Sequence, residues 1–95
     1  MLKQIEYKIY TEDTNAANRS LIIKTVSKHF KAFTVDTGSI GHWQGQQENS
    51  LQITIITEPG RKQRHLIERI AETIRDINRQ ECVMLTATKI RGKLI

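Results

Sequence analysis

The sequence predicts an α+β protein in which a four-stranded antiparallel sheet carries two helices on one face. Apolar and polar residues alternate at 5–11, and they alternate again in two runs that flank a glycine-rich turn within 32–57. Apolar residues recur with helical spacing at about 15–30 and 61–80, and a last apolar strand begins near Cys82. These three kinds of segment give the order β-α-β-β-α-β.

The first strand and first helix are justified by the spacing of their apolar residues. On one side of the strand lie Ile5, Tyr7 and Ile9. A polar break follows, in which Thr14 or Asn15 is available as the helix N-cap. One helical turn separates each of the apolar residues Ile22, Val26 and Phe30. The segment therefore reads as a half-buried strand followed by an amphipathic helix.

The second and third strands are predicted to extend into a long hairpin arm over about residues 38–50. The segment between their apolar runs is too long for a two-residue turn. We therefore expect the arm to close near Gly45–Asn49, with a β-bulge at Gly38 or Gly41. The third strand is expected to end at Pro59, which has no backbone N–H to donate to a neighbouring strand.

The second helix is the clearest element of the sequence. Its apolar stripe consists of Leu66, Ile67, Ile70, Ile74 and Ile77. Charged residues lie mainly outside that stripe. Asn78 is available as a C-terminal cap in place of glycine, and Arg79 complements the negative end of the helix. These roles account for the polar cluster at the helix exit without a ligand.

The element order is that of a ferredoxin-like α+β sandwich, and we expect one domain over residues 1–95 with strand order 4-1-3-2. The side chains predicted to face the helices are Ile5, Tyr7, Ile9, Val35, Leu51, Ile53, Ile55, Val83, Leu85 and Ala87. The opposite side of the sheet, which we call the open face, is expected to carry mixed polar and apolar residues.

Length and cysteine content exclude several classes of protein. A chain of 95 residues can fold alone around one core. Cys82 is the only cysteine, so no intrachain disulfide is possible, which fits a reducing compartment. The N-terminal residues run straight into a strand without a signal-peptide pattern, and no apolar run is long enough to span a bilayer. We therefore expect a cytoplasmic protein without membrane association.

The net charge of +5 is unevenly distributed. Residues 1–58 carry six basic and six acidic residues, whereas residues 59–95 carry nine basic and four acidic ones. Such asymmetry is typical of proteins with an anionic partner, although it also serves as a solubilising surface. The candidates for binding nucleic acid or another polyanion, at the second helix entry and in the basic tail 89–95, are Arg61, Lys62, Arg64, Arg91 and Lys93.

Recognition of RNA bases on the sheet is disfavoured by the third strand. RNA-recognition domains stack bases on aromatic side chains of their first and third strands. The third strand here, 50–56, contains no aromatic residue. A polyanion would therefore contact the helix entry and the tail instead of the sheet.

Four residues are candidates for an interface with another copy of the chain: Tyr10, Trp43, Ile56 and Met84. Three of them share the open face in the predicted fold. Trp43 lies on the hairpin arm among glycines, where it would cap the core, anchor a partner or wall a pocket. These alternatives remain open from the sequence.

Catalytic and metal-binding signals are weak. His42 and Glu48 would form an acid/base pair if they faced each other across the hairpin, but the pair depends on the strand register. The histidines lack ligand spacing with each other or with Cys82, and no glycine-rich phosphate loop is present. We therefore expect no metal or cofactor.

The segment Gly41-His42-Trp43-Gln44-Gly45, followed by Glu48 and Ser50, and the run 78–83 resemble small uncharacterised ferredoxin-like bacterial proteins, some carried on mobile elements. The resemblance implies a fold and a tendency to dimerise, with no activity to transfer. We interpret the chain as a non-enzymatic binding or interaction module that forms a homo-oligomer. Polyanion binding is the alternative interpretation, and a small enzyme with its site at the hairpin is a distant third.

Overall fold

The computed structural model describes residues 1–95, and its elements follow the predicted order. The strands are β1 (Leu2–Glu12), β2 (Thr34–Trp43), β3 (Gln46–Thr57) and β4 (Met84–Gly92). The helices are α1 (Ala16–Ser27) and α2 (Arg61–Asn78). All neighbouring strands are antiparallel, in the order β2-β3-β1-β4, which confirms the predicted sheet.

The core lies between the sheet and the two helices. β1 and β3 form its floor, with Tyr7 opposite Ile55 and Ile9 opposite Ile53. These residues alternate with polar ones, so one face of the pleated strands is buried and the other is free. From α1 and α2 the most completely buried side chains are Ile22, Val26, Ile67 and Ile74. One contiguous cluster of 11 buried residues results.

The last strand is less buried than the sequence predicts. Ala87 is exposed, whereas Val83 and Leu85 are only half-buried. β4 pairs with β1 alone and is therefore an edge strand. Since α2 packs against β1 and α1 packs against α2, the helix layer leaves this edge partly uncovered. Ala87 lies opposite Tyr7 and so projects from the helix side of the sheet as predicted, but it stays exposed at this uncovered edge.

The hairpin arm closes earlier than expected. Gln44 and Gly45 form a two-residue turn, with φ of 48° and 78° respectively, between strands that end at Trp43 and resume at Gln46. Positive φ at both central residues is the geometry that matches the twist of a hairpin. Of the predicted closure near Gly45–Asn49, the turn contains Gly45, whereas residues 46–49 continue β3.

A β-bulge in β2 redirects the arm. Asp36 pairs with Gln52 and Ser39 pairs with Ser50, so two residues of β2 lie opposite one residue of β3. The extra residue places Gly38 at φ 83°, a conformation in which glycine avoids the usual steric cost. Before the bulge the odd-numbered residue Val35 projects toward the helices, whereas after it the even-numbered residues Ile40 and His42 lie on that side. Trp43 consequently lies on the open face.

Candidate ligand cleft at the hairpin arm

A cleft of about 360 Å³ lies where the hairpin arm approaches the end of β1 and the start of β4. We call it the arm cleft. Among its lining residues are Tyr10, Ile40, Trp43, Glu48, Gln80 and Met84. Its lining combines aromatic and aliphatic side chains with several hydrogen-bonding groups. This mixture is typical of small-molecule sites.

The register of three strands brings the apolar side of the arm cleft together. Tyr10 on β1 lies directly opposite Met84 on β4. Trp43 shares their face because of the bulge in β2, and its side chain is 47% exposed. Three of the four predicted interface residues thus meet at this end of the open face. The fourth, Ile56, lies toward the other end with Leu2 and Ile90 around it.

The polar side of the arm cleft is held by the segment after α2. Gln80 accepts hydrogen bonds at Oε1 from the Thr11 hydroxyl and, at 3.4 Å, from the Glu12 backbone N–H. Its amide Nε2 takes no part in these two bonds. Because Gln80 lines the cleft with its carbonyl already occupied, the NH₂ group is the part of the side chain left to bind a ligand.

Asn78 fixes that segment from inside the protein. Its Nδ2 donates to Thr11 Oγ1 at 2.9 Å and to the Glu12 carbonyl at 2.7 Å. Its Oδ1 accepts from the Thr14 hydroxyl at 3.1 Å and from Asn18 Nδ2 at 3.2 Å. The side chain is buried and its hydrogen-bonding capacity is fully used. Asn78 therefore joins both helices to the end of β1.

The expected role of Asn78 as a C-terminal cap is wrong. Arg79 occupies the cap position of α2 in the left-handed conformation, with φ 52° and ψ 41°. Its backbone N–H bonds to the Asp76 carbonyl, and that of Gln80 bonds to the Arg75 carbonyl. Asn78 remains helical because its side chain is engaged with β1. Asn15, one of the two predicted N-caps, does cap α1 by accepting from the Asn18 N–H.

The arm cleft is acidic. Glu48 lies on the open face diagonally from Glu12, since Glu12 pairs with Ser50. Partial burial, together with repulsion from the Glu12 carboxylate, raises the pKa of Glu48 above its ordinary value. No lysine or arginine lines the cleft. Its electrostatics therefore favour neutral or cationic groups over phosphates.

The register separates His42 from Glu48. Gly41 lies opposite Glu48, and His42 lies opposite Gln47. The two side chains therefore project from opposite faces of the hairpin arm. The condition on which the acid/base pair depended is not met.

The predicted polyanion residues lie in three places. Arg61, Lys62 and Arg64 are exposed in the first turn of α2, and Arg64 approaches Glu68 at 3.9 Å. Arg91 lines a groove beside Pro59, whereas Lys93 lines another hollow near the chain end. Arg91 therefore lies near the start of α2, because Pro59 precedes that helix by two residues.

Sequence reasoning missed Ile40 and Gln80 as cleft residues. Ile40 is 62% exposed on the arm. Gln80 follows the left-handed Arg79, and only that backbone turn directs it toward β1. Cys82 also lines the cleft and is exposed. No group of three or more His, Cys, Asp or Glu side chains is arranged to hold a metal ion, and neither helix has the length and apolar character needed to cross a membrane.

Solved structures similar to this chain share its architecture. One is CPII, a nitrogen regulatory PII-like protein from Thiomonas intermedia K12 bound to ADP, AMP and bicarbonate. It has a TM-score of 0.67 and 13% identity over 98% of this chain and 97% of that chain. CutA1 from Oryza sativa has a TM-score of 0.65 and 15% identity over 98% of this chain and 84% of that chain.

A third similar structure is a phage SAM lyase in complex with S-methyl-5′-thioadenosine. Its TM-score is 0.58, with 16% identity over 94% of this chain and 90% of that chain. The fold is ferredoxin-like. That part of the resemblance drawn from the sequence is confirmed. No family model and no curated protein sequence matches the chain.

Proposed function

We propose that this chain is a binding module that assembles with copies of itself through the open face and binds an adenosine-containing small molecule in the arm cleft. The observation that carries the proposal is the convergence of Tyr10, Trp43 and Met84 with the Gln80 amide, in a cleft that no lysine or arginine lines. Aromatic rings stack on a purine, and an amide binds its hydrogen-bonding edge. Such a site recognises the nucleoside part of a ligand.

The similar structures support an adenosine ligand. ADP and AMP in CPII and S-methyl-5′-thioadenosine in the phage SAM lyase share adenine and its ribose ring but differ at the 5′ position. The acidic residues Glu48 and Glu12 disfavour ADP and AMP relative to S-methyl-5′-thioadenosine in this protein, because their negative charges repel a phosphate in a partly desolvated cleft. We therefore favour a neutral or cationic adenosine compound over a nucleotide.

Self-association is supported by the composition of the open face. Ile56 is 48% exposed and Met84 is 59% exposed, at opposite ends of this face. Between them, Glu6 and Lys8 approach each other at 4.0 Å and leave the middle of the face nearly neutral. A second copy presents the same neutral, partly apolar surface, so its approach carries little electrostatic cost. This complementarity favours a second copy over a charged partner.

Binding is favoured over catalysis because His42 and Glu48 lie on opposite faces of the hairpin arm. A histidine outside hydrogen-bond reach of its carboxylate has no partner to orient it as a general base. The polyanion alternative rests on Arg61, Lys62 and Arg64 at the start of α2 and on Arg91, which lines a groove beside Pro59.

Ligand binding is tested by titrating the protein with S-methyl-5′-thioadenosine and with ADP while the fluorescence of Trp43, the single tryptophan, is followed. We expect the neutral compound to bind at least about tenfold more tightly than ADP, a difference of about 1.4 kcal/mol. The adenosine proposal is contradicted if neither compound gives a response in calorimetry or in fluorescence.

A matched pair of variants locates the site. Stacking of a base on an aromatic side chain contributes about 1–3 kcal/mol. Calorimetry of Trp43→Ala should accordingly show S-methyl-5′-thioadenosine binding weakened by roughly 5- to 150-fold. Leu21→Ala, which truncates a half-exposed residue of α1 away from the cleft, should leave affinity unchanged. Equal affinities in both variants would place the ligand elsewhere.

Assembly is tested by light scattering of Met84→Glu and Ile56→Lys. Each places a charge within the proposed interface, so we expect a shift toward the mass of one chain. Leu21→Glu places the same kind of charge on the helix layer and should keep the mass of the wild type. Assembly that survives both open-face changes would exclude this face.

The non-enzymatic part is tested separately. The protein is incubated with S-adenosylmethionine, and the products are separated by chromatography. We expect the compound to remain intact because His42 and Glu48, which both line the arm cleft, project from opposite faces of the hairpin arm and do not form an acid/base pair. Formation of S-methyl-5′-thioadenosine that disappears in Glu48→Gln would instead make the cleft an active site.

A further inference from the structure

A second concave surface lies at the opposite end of the sheet, where β1 begins and β4 ends. It is a groove of about 480 Å³ lined by Lys3, Lys89 and Arg91, with Pro59 and Ile5 at its side. We call it the basic groove. No aspartate or glutamate is among its lining residues. The arm cleft and the basic groove therefore have opposite electrostatic character.

The strand register places the three cations together. Lys3 lies directly opposite Arg91, and Lys89 lies opposite Ile5, two residues along each strand. All three side chains project from the sheet face that carries the helices, since Ile5 faces the core. Directly opposed side chains in an antiparallel pair lie about 4.5–5.5 Å apart at Cβ, where like charges destabilise the sheet.

No ion pair within the protein involves these three cations. The four ion pairs of the molecule involve other basic residues, so Lys3, Lys89 and Arg91 each lack an acidic partner. The acid nearest in sequence to Pro59 is Glu58, whose carboxylate accepts a bond from the Gln63 amide at 3.3 Å. The repulsion between the opposed cations is therefore left uncompensated.

The adjacent start of α2 adds to the positive potential. Gly60 is its N-cap and supplies no side-chain hydrogen bond, and the first turn contains no acidic residue. That turn instead carries Arg61 and Lys62 at the positive end of the helix dipole. Pro59 lines the basic groove, so α2 begins only two residues from the groove.

We propose that the basic groove binds a phosphate-bearing polyanion. The three unpaired cations on the two strands carry more positive charge than a single carboxylate can neutralise. They match a ligand that carries several negative charges on adjacent phosphates. A chain of phosphates is supplied either by a free oligophosphate or by a nucleic-acid backbone, and the shared chemistry is the phosphate. The groove lies at the far end of β1 from the arm cleft, so the two sites act independently.

The experiment is calorimetric titration of the full chain with sodium tripolyphosphate and, separately, with a short single-stranded thymidine oligonucleotide. Both titrations are made at about 0.05 M and about 0.2 M salt, because phosphate binding releases counterions and weakens as salt rises. We expect tripolyphosphate to bind and its affinity to fall with salt. Binding of the oligonucleotide alone, if lost in the groove variant below, also supports the site and identifies the polymer as the source.

The groove variant combines Lys3→Gln, Lys89→Gln and Arg91→Gln. Its matched control combines Lys24→Gln, Lys28→Gln and Arg69→Gln, which remove the same charge from exposed positions in the helices or directly after α1. We expect the groove variant to lose at least about tenfold in affinity and the control to stay within about twofold. Circular dichroism checks that both remain folded.

Two results would overturn the proposal. One is that neither tripolyphosphate nor the oligonucleotide binds at the lower salt concentration. The other is an equal loss of affinity in the groove variant and in its control, which would indicate general attraction to a positively charged protein. Neither result bears on the adenosine titrations, because the arm cleft contains none of the substituted residues.

Discussion

Asn78 shows how one side chain connects the helices to the sheet. It is 9% exposed and makes hydrogen bonds to Thr11, Thr14, Asn18 and the Glu12 backbone. A buried amide with every bond satisfied holds its neighbours in one arrangement. Since Thr11 in turn donates to Gln80, this network positions the polar wall of the arm cleft.

Asn78→Ala should therefore destabilise the protein. It leaves the Glu12 carbonyl and the Thr11 hydroxyl without their donor, and unsatisfied buried groups cost about 1–3 kcal/mol each. We expect the free energy of unfolding in urea to fall by about 2–3 kcal/mol. Arg79→Ala, next to it but exposed, is the control and should change stability far less. A change below about 0.5 kcal/mol for Asn78→Ala would contradict its role.

Glu48 makes stability depend on pH. Burial and the Glu12 carboxylate raise its pKa in the folded state above the ordinary value, so the folded state binds its proton more tightly than the unfolded state. Its contribution to stability is consequently full below the unfolded pKa and is lost as pH rises through the folded pKa.

The variant Glu48→Gln removes this titration. We expect it to raise the urea midpoint at neutral pH and to leave the midpoint unchanged at a pH below the ordinary pKa of glutamate. The exposed Glu81→Gln serves as the control and should show no such pH-dependent difference. A Glu48→Gln midpoint that equals the wild-type value at neutral pH would disprove the expected gain.

At the level of elements, β1 and β4 combine good packing with unfavourable charge. Their register places Ile9 opposite Leu85 at the core end and Lys3 opposite Arg91 at the other end. An ion pair at such a position stabilises a sheet by about 0.2–1 kcal/mol, whereas like charges destabilise it. Stability alone would therefore favour an acidic residue at one of the two positions.

Lys3→Glu tests this directly. The new carboxylate would face Arg91, so we expect the melting temperature to rise by a few degrees, given that about 1 kcal/mol shifts a domain of this size by roughly 4–8 °C. Tripolyphosphate binding should weaken in the same variant. Lys31→Glu, at an exposed position before β2, is the comparison and should raise the melting temperature less. A lower melting temperature for Lys3→Glu would show that the opposed charges do not repel.

The whole molecule extends 41 Å along its long axis and 24 Å along the other two, and the helices cover one side of the sheet only. The exposed apolar residues Ile56 and Met84 lie on the uncovered side. Its net charge is +5. Assembly through such a surface depends on apolar burial, which salt does not screen, while mutual repulsion of copies decreases as salt rises.

Light scattering at low and high salt should accordingly give the same assembled mass, or a larger one at high salt. Addition of tripolyphosphate should not change the mass, because the basic groove lies on the helix side of the sheet. Dissociation at high salt would mean that ion pairs hold the copies together, which is contrary to an apolar open-face interface.

The element order and the buried residues of β1 and β3 follow from the amino-acid sequence alone. Local periodicities carry that information, because the side-chain period of a strand or helix does not depend on distant partners. Ile9, Ile53 and Ile67 were identifiable as core residues in this way and are fully buried. Tyr10 and Met84 were assigned to one face for the same reason.

Contacts between distant residues, in contrast, depend on the folded chain as a whole. The single extra residue at the Gly38 bulge changes the face on which Trp43 projects, and it separates His42 from Glu48. Asn78 became a buried link because the end of β1 lies beside it, and Lys3 met Arg91 because β4 returns alongside β1. These contacts depend on strand register and on segments far apart in the chain, which a local pattern cannot specify.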